Sequence, residues 1–388
     1  MRCCRSNVGT ITEKSGALAL TDTPDWFELG TGRHNGAGYR SAIPRASTVV
    51  TTKDQFVKAR QMTNKNSCLI SAARKDGRSP VLVIDGTGHV GASLCQFLSA
   101  RGHPVTAASR SQEVIFDDPS IERLELDVLA HSNPDRLPSS KVAIIVPWVQ
   151  QPDDVEHRPW LDRLVRLLVG AGTRSVIYVS SIWVYGREPK GCLTESMPVA
   201  PTDPYGSAHV ANEASLTKCA DGLGVDVAIL RLANLVVPDP FFRSRTKIAF
   251  THELMEMALL NRLIELRSPP STPRNMLPGS LFHHDIGTLL DRRPVEGRVE
   301  TFNLGSASTS TMINLAKEIA VMAEGHHGNR VGIKHPEELE VQPQFRLDTT
   351  KIRQIAGPHV DDLSGELSRI LRQVVSVRDP AAVIGKPV

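Results

Sequence analysis

Gly86-Thr87-Gly88-His89-Val90-Gly91 has the spacing of a phosphate cradle. In a GxGxxG turn the first two glycines permit a tight bend and close approach of backbone to a pyrophosphate, and the third lets the next helix pack closely on its strand. A helix beginning there would offer unpaired N–H groups and its positive dipole end to the anion. About 20 residues on, an acid at the end of the second strand would bond the ribose 2′-OH of NAD, whereas a basic residue would receive the 2′-phosphate of NADP. The sequence has Ala108-Ser109-Arg110 there, with no acid. NADP is the expected cofactor and NAD the alternative, in which case Arg110 is a solvated loop residue. Asp127-Val128, after the third strand, is placed to reach the adenine or, equally, to close a turn.

Other reactive residues carry less. His283-His284-Asp285 has the types of a metal site, but adjacent side chains on a strand point to opposite faces, so no metal is expected. Gly325-His326-His327-Gly328 reads as a surface turn after a helix. The six cysteines, at 3, 4, 68, 95, 192 and 219, form no CxxC, which fits free thiols in a reducing compartment.

The elements that must position the cradle follow from the apolar pattern. Val81 to Ile84 is a continuous apolar run, as in a strand buried on both faces. Ala92 to Arg101 is helical in period and stops at Gly102. Further strands are predicted over Pro104 to Ala108, Glu122 to Leu126, Val142 to Val146, Ser175 to Val179 and Val225 to Leu230. Further helices are predicted over Leu161 to Val169, Tyr205 to Ala220, His252 to Leu260, Thr311 to Met322 and Leu363 to Val375. This alternation implies an α/β chain with a Rossmann-type, doubly wound parallel sheet and a smaller C-terminal substrate-binding lobe. The expected divisions are 1–78, a basic flexible extension; 79–237, the NAD(P)-binding domain; and 238–388, the lobe, which returns to the sheet near Asp285.

Composition sets the outer bounds. Hydrophobic residues are 40% and charged residues 22% of the 388, which excludes collagenous, disordered and disulfide-scaffold classes. No apolar run is long enough to span a membrane. The net charge of +3 divides unevenly. Residues 1–78 hold 13 Lys and Arg against 6 Asp and Glu, so the remainder is mildly acidic and gives no sign of a nucleic-acid partner. The extension offers no secretory signal; a transit peptide or a start codon placed upstream of Met62 are its alternative readings. A cytoplasmic location is expected.

Several further segments, in order, carry a family likeness. Val176-Ile177-Tyr178-Val179-Ser180-Ser181-Ile182-Trp183-Val184-Tyr185-Gly186 resembles the "vSSxxVYG" strand of the extended short-chain dehydrogenases, the NAD(P)-dependent epimerases and dehydratases of sugar nucleotides. Thr194-Glu195, Pro201, Pro204-Tyr205-Gly206-Ser207-Ala208-His209 and Glu213 are similar to "tE…P…pYgxsKxxxE". Leu230-Arg231-Leu232-Ala233-Asn234 to Pro238 resembles "lRlxnvyGP". Phe282 to Ile286, Phe302 to Gly305 and Leu347 to Lys351 resemble later landmarks.

The likeness implies a catalytic set of Ser181, Tyr205 and residue 209. In the family the Tyr exchanges a proton while the nicotinamide exchanges a hydride, and a Lys four residues on bonds the ribose and lowers the Tyr pKa from about 10. Here that residue is His209, which could bond a ribose hydroxyl or carry a proton but is mostly neutral at pH 7. The family's usual GxxGxxG also places Asp85 where its first Gly belongs. The GxGxxG form, Ala-Ser-Arg and Pro147-Trp148 resemble the atypical short-chain group. The expected activity is an NAD(P)-dependent epimerase, dehydratase or reductase acting on a small polar substrate, plausibly as a homodimer. The alternative is a catalytically impaired nucleotide-binding sensor or scaffold.

Overall fold

In the computed structural model, which describes residues 77–110, 114–128, 137–147, 159–244, 248–337 and 341–378, the apolar run β1 (Val81–Ile84) is buried along its whole length. The expected extension up to residue 76 and Trp148 lie outside the described residues. Strand β1 is flanked in parallel by β2 (Val105–Ser109) and β4 (Val142–Ile145), with Val81 opposite both Val105 and Val142. Beyond them lie β3 (Ile121–Glu125) on one side and β5 (Ser175–Ser181), β7 (Asp226–Leu232) and β11 (Val299–Leu304) on the other. Among the described residues the seven pair in the order β11-β7-β5-β4-β1-β2-β3, all parallel. The order reverses between β1 and β4, and at such a reversal the carboxyl ends of the strands open a crevice for ligands.

Alternation along the strands assigns the two faces. Val81 and Val83 pack with Ala92, Leu94 and Leu98 of α1 (His89–Ala100). Leu82 and Ile84 face the other way, to Leu161, Val165 and Leu168 of α2 (Pro159–Gly170) and Leu216 of α3 (Pro204–Leu223). A parallel sheet covered on both faces needs strands apolar at every position, as β1 and β4 are.

A second core lies under the C-terminal elements. It joins α4 (Phe250–Glu256), α6 (Met312–His327) and α8 (Leu363–Arg378) through Leu254, Met255, Ile319 and Ile370. Small sheets accompany it: β8 (Asn234–Val236), β10 (Pro273–Pro278) and β12 (Thr309–Thr311) form one, and β9 (Leu263–Glu265) with β13 (Gly332–Lys334) another. Strand β14 (Phe345–Leu347) pairs with β6 (Gly191–Leu193), and α7 (Thr350–Ala356) follows it.

The structure corrects two readings. Residues 283–285 lie on α5 (Gly279–Leu290), not on a strand; α5 packs in the core of the sheet through Phe282 and Ile286, and the next strand of that sheet is β11. His283 bonds Ser93 Oγ at 2.9 Å and stacks on Phe97, while His284 bonds the Ala356 carbonyl at 2.8 Å. They diverge to different elements, and no metal-ligand cluster occurs among the described residues. The helix expected from His252 to Leu260 is α4 followed by a π turn over Met257–Asn261, closed by Arg262 at φ 53°. Among the described residues no helix is long and apolar enough to cross a membrane.

Candidate active site

At the carboxyl end of β1 the chain turns sharply. Gly86 N donates to Ala108 O at 2.9 Å and Gly88 N to Asp85 O at 3.0 Å. A β-carbon on Gly86 would lie 2.7 Å from that of Ala107, and one on Gly91 would meet the Asp85 carbonyl, so both glycines are needed for helix and strand to approach. Helix α1 starts with Gly88 as N-cap; no side chain caps it and no acid lies in its first turn. Its terminal N–H groups and dipole thus fit a pyrophosphate.

One group is set against that fit. Asp85 adopts φ 58°, a left-handed conformation usual for Gly, and its carboxylate lies against Gly88 where a side chain would otherwise be. The first glycine of the GxxGxxG form is therefore replaced in conformation but not in charge.

The remaining cradle residues separate by role. Val90 packs on the core, and His89 Nε2 bonds the Val237 carbonyl at 2.9 Å, so its side chain faces the C-terminal elements. Ser109 is buried at the end of β2, with Arg110 exposed after it. Leu126 N donates to Ser109 O at 2.9 Å, which brings Asp127 and Val128 alongside; Arg163 Nη2 holds the Val128 carbonyl at 3.2 Å. Thus the sequence-selected residues 86–91, 109–110 and 127–128 meet at one edge of the sheet.

Ser181 ends β5, and Tyr205 opens the first turn of α3, capped by Asp203, whose Oδ1 accepts from Gly206 N at 3.1 Å. The Ser181 side chain interacts with the Tyr205 phenol. Burial of the phenol raises the Tyr205 pKa above its usual value; the Ser181 side chain and the Arg187 charge pull it down less strongly, and Asp203 opposes them. The residue as a whole keeps 38% of its surface exposed.

His209 lies one turn behind it. The two rings meet edge to face at 4.6 Å, and His209 Nδ1 lies 3.1 Å from the Tyr178 hydroxyl. His209 is 2% exposed, and burial lowers its pKa to about 4, so the imidazole is neutral at pH 7. Its Nε2 is buried without a partner.

Ile182 and Trp183, which follow Ser181, line an open cleft together with Arg187, Asn234, Arg274 and Phe345. Trp183 stands between two guanidinium groups, that of Arg187 4.3 Å and that of Arg274 5.7 Å from its ring centre. Arg187 is held at both ends by Asp203. Arg274 makes no ion pair among the described residues, and burial, with Arg187 nearby, lowers its pKa. A largely buried cation without a carboxylate is arranged for an anion from outside.

Comparison with known proteins supports this layout. Residues 81–256 match the model of the NAD dependent epimerase/dehydratase family. Over this segment the chain is similar to that family. UDP-glucose 4-epimerase of Azospirillum brasilense is 26% identical over 192 residues, 46% of this chain and 55% of that protein. The enzyme of the same name from Mycolicibacterium smegmatis is 28% identical, over 48% of this chain and 58% of its own length. The chain therefore spans little more than half of the curated relatives it matches.

Solved structures share the fold. MoeE5 in complex with UDP-glucuronic acid and NAD superposes with a TM-score of 0.62 at 21% identity, over 76% of this chain and 99% of that one. UDP-glucose 4-epimerase of Thermotoga maritima with UDP-glucose gives 0.62 at 17% identity, over 76% and 97%.

Residues 185, 195, 213, 231 and 303, which carry the epimerase/dehydratase likeness, are bonded to one another behind the site. Arg231 bonds Tyr185 Oη at 2.9 Å and Glu213 at 2.7 Å; Tyr185 Oη bonds Asn303 at 2.8 Å; Glu195 accepts from Asn303 N at 2.9 Å. They fasten α3 to β7, β11 and the turn that holds Tyr185. Arg187, Arg274, Tyr178 and Asn212 were not singled out by sequence.

Proposed function

We propose that this chain is an NAD(P)-dependent enzyme that epimerises, dehydrates or reduces a sugar nucleotide, with Tyr205 as its acid/base. The observation that carries this is the placement of Ser181 at the end of β5 and Tyr205 in the first turn of α3, where Ser181 acts on the Tyr205 phenol, with Ile182 and Trp183, which follow Ser181, lining the cleft that holds Arg274. The relatives named UDP-glucose 4-epimerase and the neighbours holding UDP-sugars support the substrate class.

A bound dinucleotide would supply the hydride acceptor and donor, held by the Gly86–Gly91 turn with Arg110 toward a 2′-phosphate and Asp127 and Val128 beside the adenine. The Tyr205 phenol holds its proton at neutral pH and is ready to give it to a carbonyl oxygen. As a phenolate it would accept the hydroxyl proton in the opposite direction. Ser181 orients the reacting oxygen, Trp183 walls the sugar, and Arg274 with Arg187 neutralises phosphate. The test is turnover of UDP-sugars with added NAD or NADP, comparing wild type with Tyr205→Phe; near-complete loss in the variant is expected, and unchanged turnover would overturn the role. Arg110→Ala should weaken NADPH far more than NADH, and equal losses would remove the NADP preference.

The neutral His209 favours a second reading, a cofactor-binding sensor without turnover. Dinucleotide binding with no reaction on any sugar nucleotide or carbonyl, in wild type and in His209→Lys alike, would select it.

A further inference from the structure

Three hydrogen-bonding groups behind Tyr205 form a chain with a definite direction. Asn212 Nδ2 donates to Tyr178 Oη at 2.9 Å, and Tyr178 Oη lies 3.1 Å from His209 Nδ1. A phenol has one proton to give. With the amide filling its lone pair, that proton goes to Nδ1, so the imidazole proton sits on Nε2. The reverse tautomer would leave the Tyr178 proton without an acceptor at a fully buried residue, whereas Nε2 lacks a partner in either tautomer and does not discriminate between them.

The anchored imidazole supports an otherwise exposed ring. Tyr205 has its edge-to-face contact with His209 at 4.6 Å, and Ser181 interacts with its phenol. A family lysine would offer a flexible cation at this position, whereas His209 is a rigid plate whose angle depends on Tyr178. We infer that Tyr178 and Asn212 are positioning residues for Tyr205, acting through His209, whose ring they lock in one orientation and in the neutral Nε2–H tautomer. The inference rests on the acid/base reading of Tyr205. Of the titratable groups around His209, Tyr178 comes from β5, Tyr205 and Glu213 from α3, and Asp203 from its cap.

Nitrogen-15 spectra of histidine-labelled protein read the tautomer directly, with His209 identified by the signal lost in His209→Gln. Wild type should show the Nε2–H pattern at pH 7. In Asn212→Asp a carboxylate would take the Tyr178 proton and reverse the chain, converting the signal to Nδ1–H. Tyr178→Phe, nearly isosteric, should lower kcat by about tenfold to a hundredfold through misplacement of Tyr205 while KM for the UDP-sugar stays within about threefold. A wild-type Nδ1–H signal would overturn the proposed direction. Undiminished kcat in Tyr178→Phe, with Tyr205→Phe inactive, would overturn positioning and leave the acid/base reading standing. Full activity of Tyr205→Phe would instead remove the reading on which both rest.

Discussion

Arg231 Nη2 lies 2.7 Å from Glu213 Oε2, with both side chains about nine-tenths buried. The pair spans from β7 to α3, and Ser180 Oγ joins it at 2.6 Å from Glu213 Oε1. Since Ser180 precedes Ser181 and Glu213 is on the helix of Tyr205, the pair fixes the two proposed catalytic elements to each other. Glu213→Leu would leave a buried guanidinium without its counter-charge and should cost about 3–5 kcal/mol in urea unfolding. Adding Arg231→Met should recover much of that loss, because the desolvated charge is then gone. A Glu213→Leu cost within error of zero would show that the pair is not what fastens the helix.

The proposed acid/base role of Tyr205 predicts a pH dependence. Burial raises its pKa above the usual tyrosine value, and no lysine stands at position 209 to reverse that. In the oxidative direction, which needs the phenolate, kcat/KM should climb with pH through the neutral range without a plateau there. His209→Lys should start the climb at lower pH, since a nearby ammonium favours the phenolate. A wild-type plateau at neutral pH would mean that another group takes the proton.

Much of this arrangement was legible in the sequence because its signals are local. The apolar run at Val81 to Ile84, the stops at Gly102 and Gly170 and the glycine turn each depend on a few adjacent residues. Strand β11, Val-Glu-Thr-Phe-Asn-Leu at the sheet edge, has half its residues only partly buried and lacks the continuous apolar signature. The short apolar segment around His283 has no period long enough to separate helix from strand. The Tyr178–His209 bond joins residues 31 apart and depends on how α3 lies across β5. Sequence marked His209 as a departure, but not the partner that gives it a use.

Acid should unfold the protein partly through buried histidines. His209 and His252, at 2% and 0% exposure, have pKa values lowered to about 4, mainly by burial, and for His252 also by His89. Their folded values lie below the unfolded 6.5, so between these limits the unfolded chain binds more protons and stability rises with pH. The stabilisation is complete above about pH 6.5 and is lost toward pH 4. His252→Gln should reduce the slope of unfolding free energy between pH 6 and 5 by about 1 kcal/mol per pH unit. An unchanged slope would place the proton uptake elsewhere.

Asp85 should weaken the dinucleotide site it helps to shape. Its left-handed backbone suits glycine, and its carboxylate lies against Gly88, where a pyrophosphate is expected to come closest. Two like charges about 5 Å apart repel by one to two kcal/mol at an intermediate dielectric, so Asp85→Gly should tighten NAD binding about tenfold. Asp85→Asn separates charge from conformation and should recover most of the gain. Weaker binding in both variants, measured by calorimetry, would mean that the carboxylate serves the ligand instead.

Arg274 should determine affinity rather than rate. It is largely buried beside Trp183, its guanidinium 5.7 Å from that ring, without a carboxylate partner among the described residues. The like charge of Arg187 makes the unliganded cation costly, and a substrate phosphate would relieve both. Phosphate bound equally in ground and transition states adds uniform binding, which appears in KM and leaves kcat alone. Arg274→Ala should therefore raise KM for a UDP-sugar by about tenfold or more, the worth of one charge-assisted contact, with kcat within about threefold of wild type. A neutral sugar offered at high concentration should feel the substitution little. If kcat falls and KM does not, Arg274 acts on the reacting centre and the phosphate assignment fails.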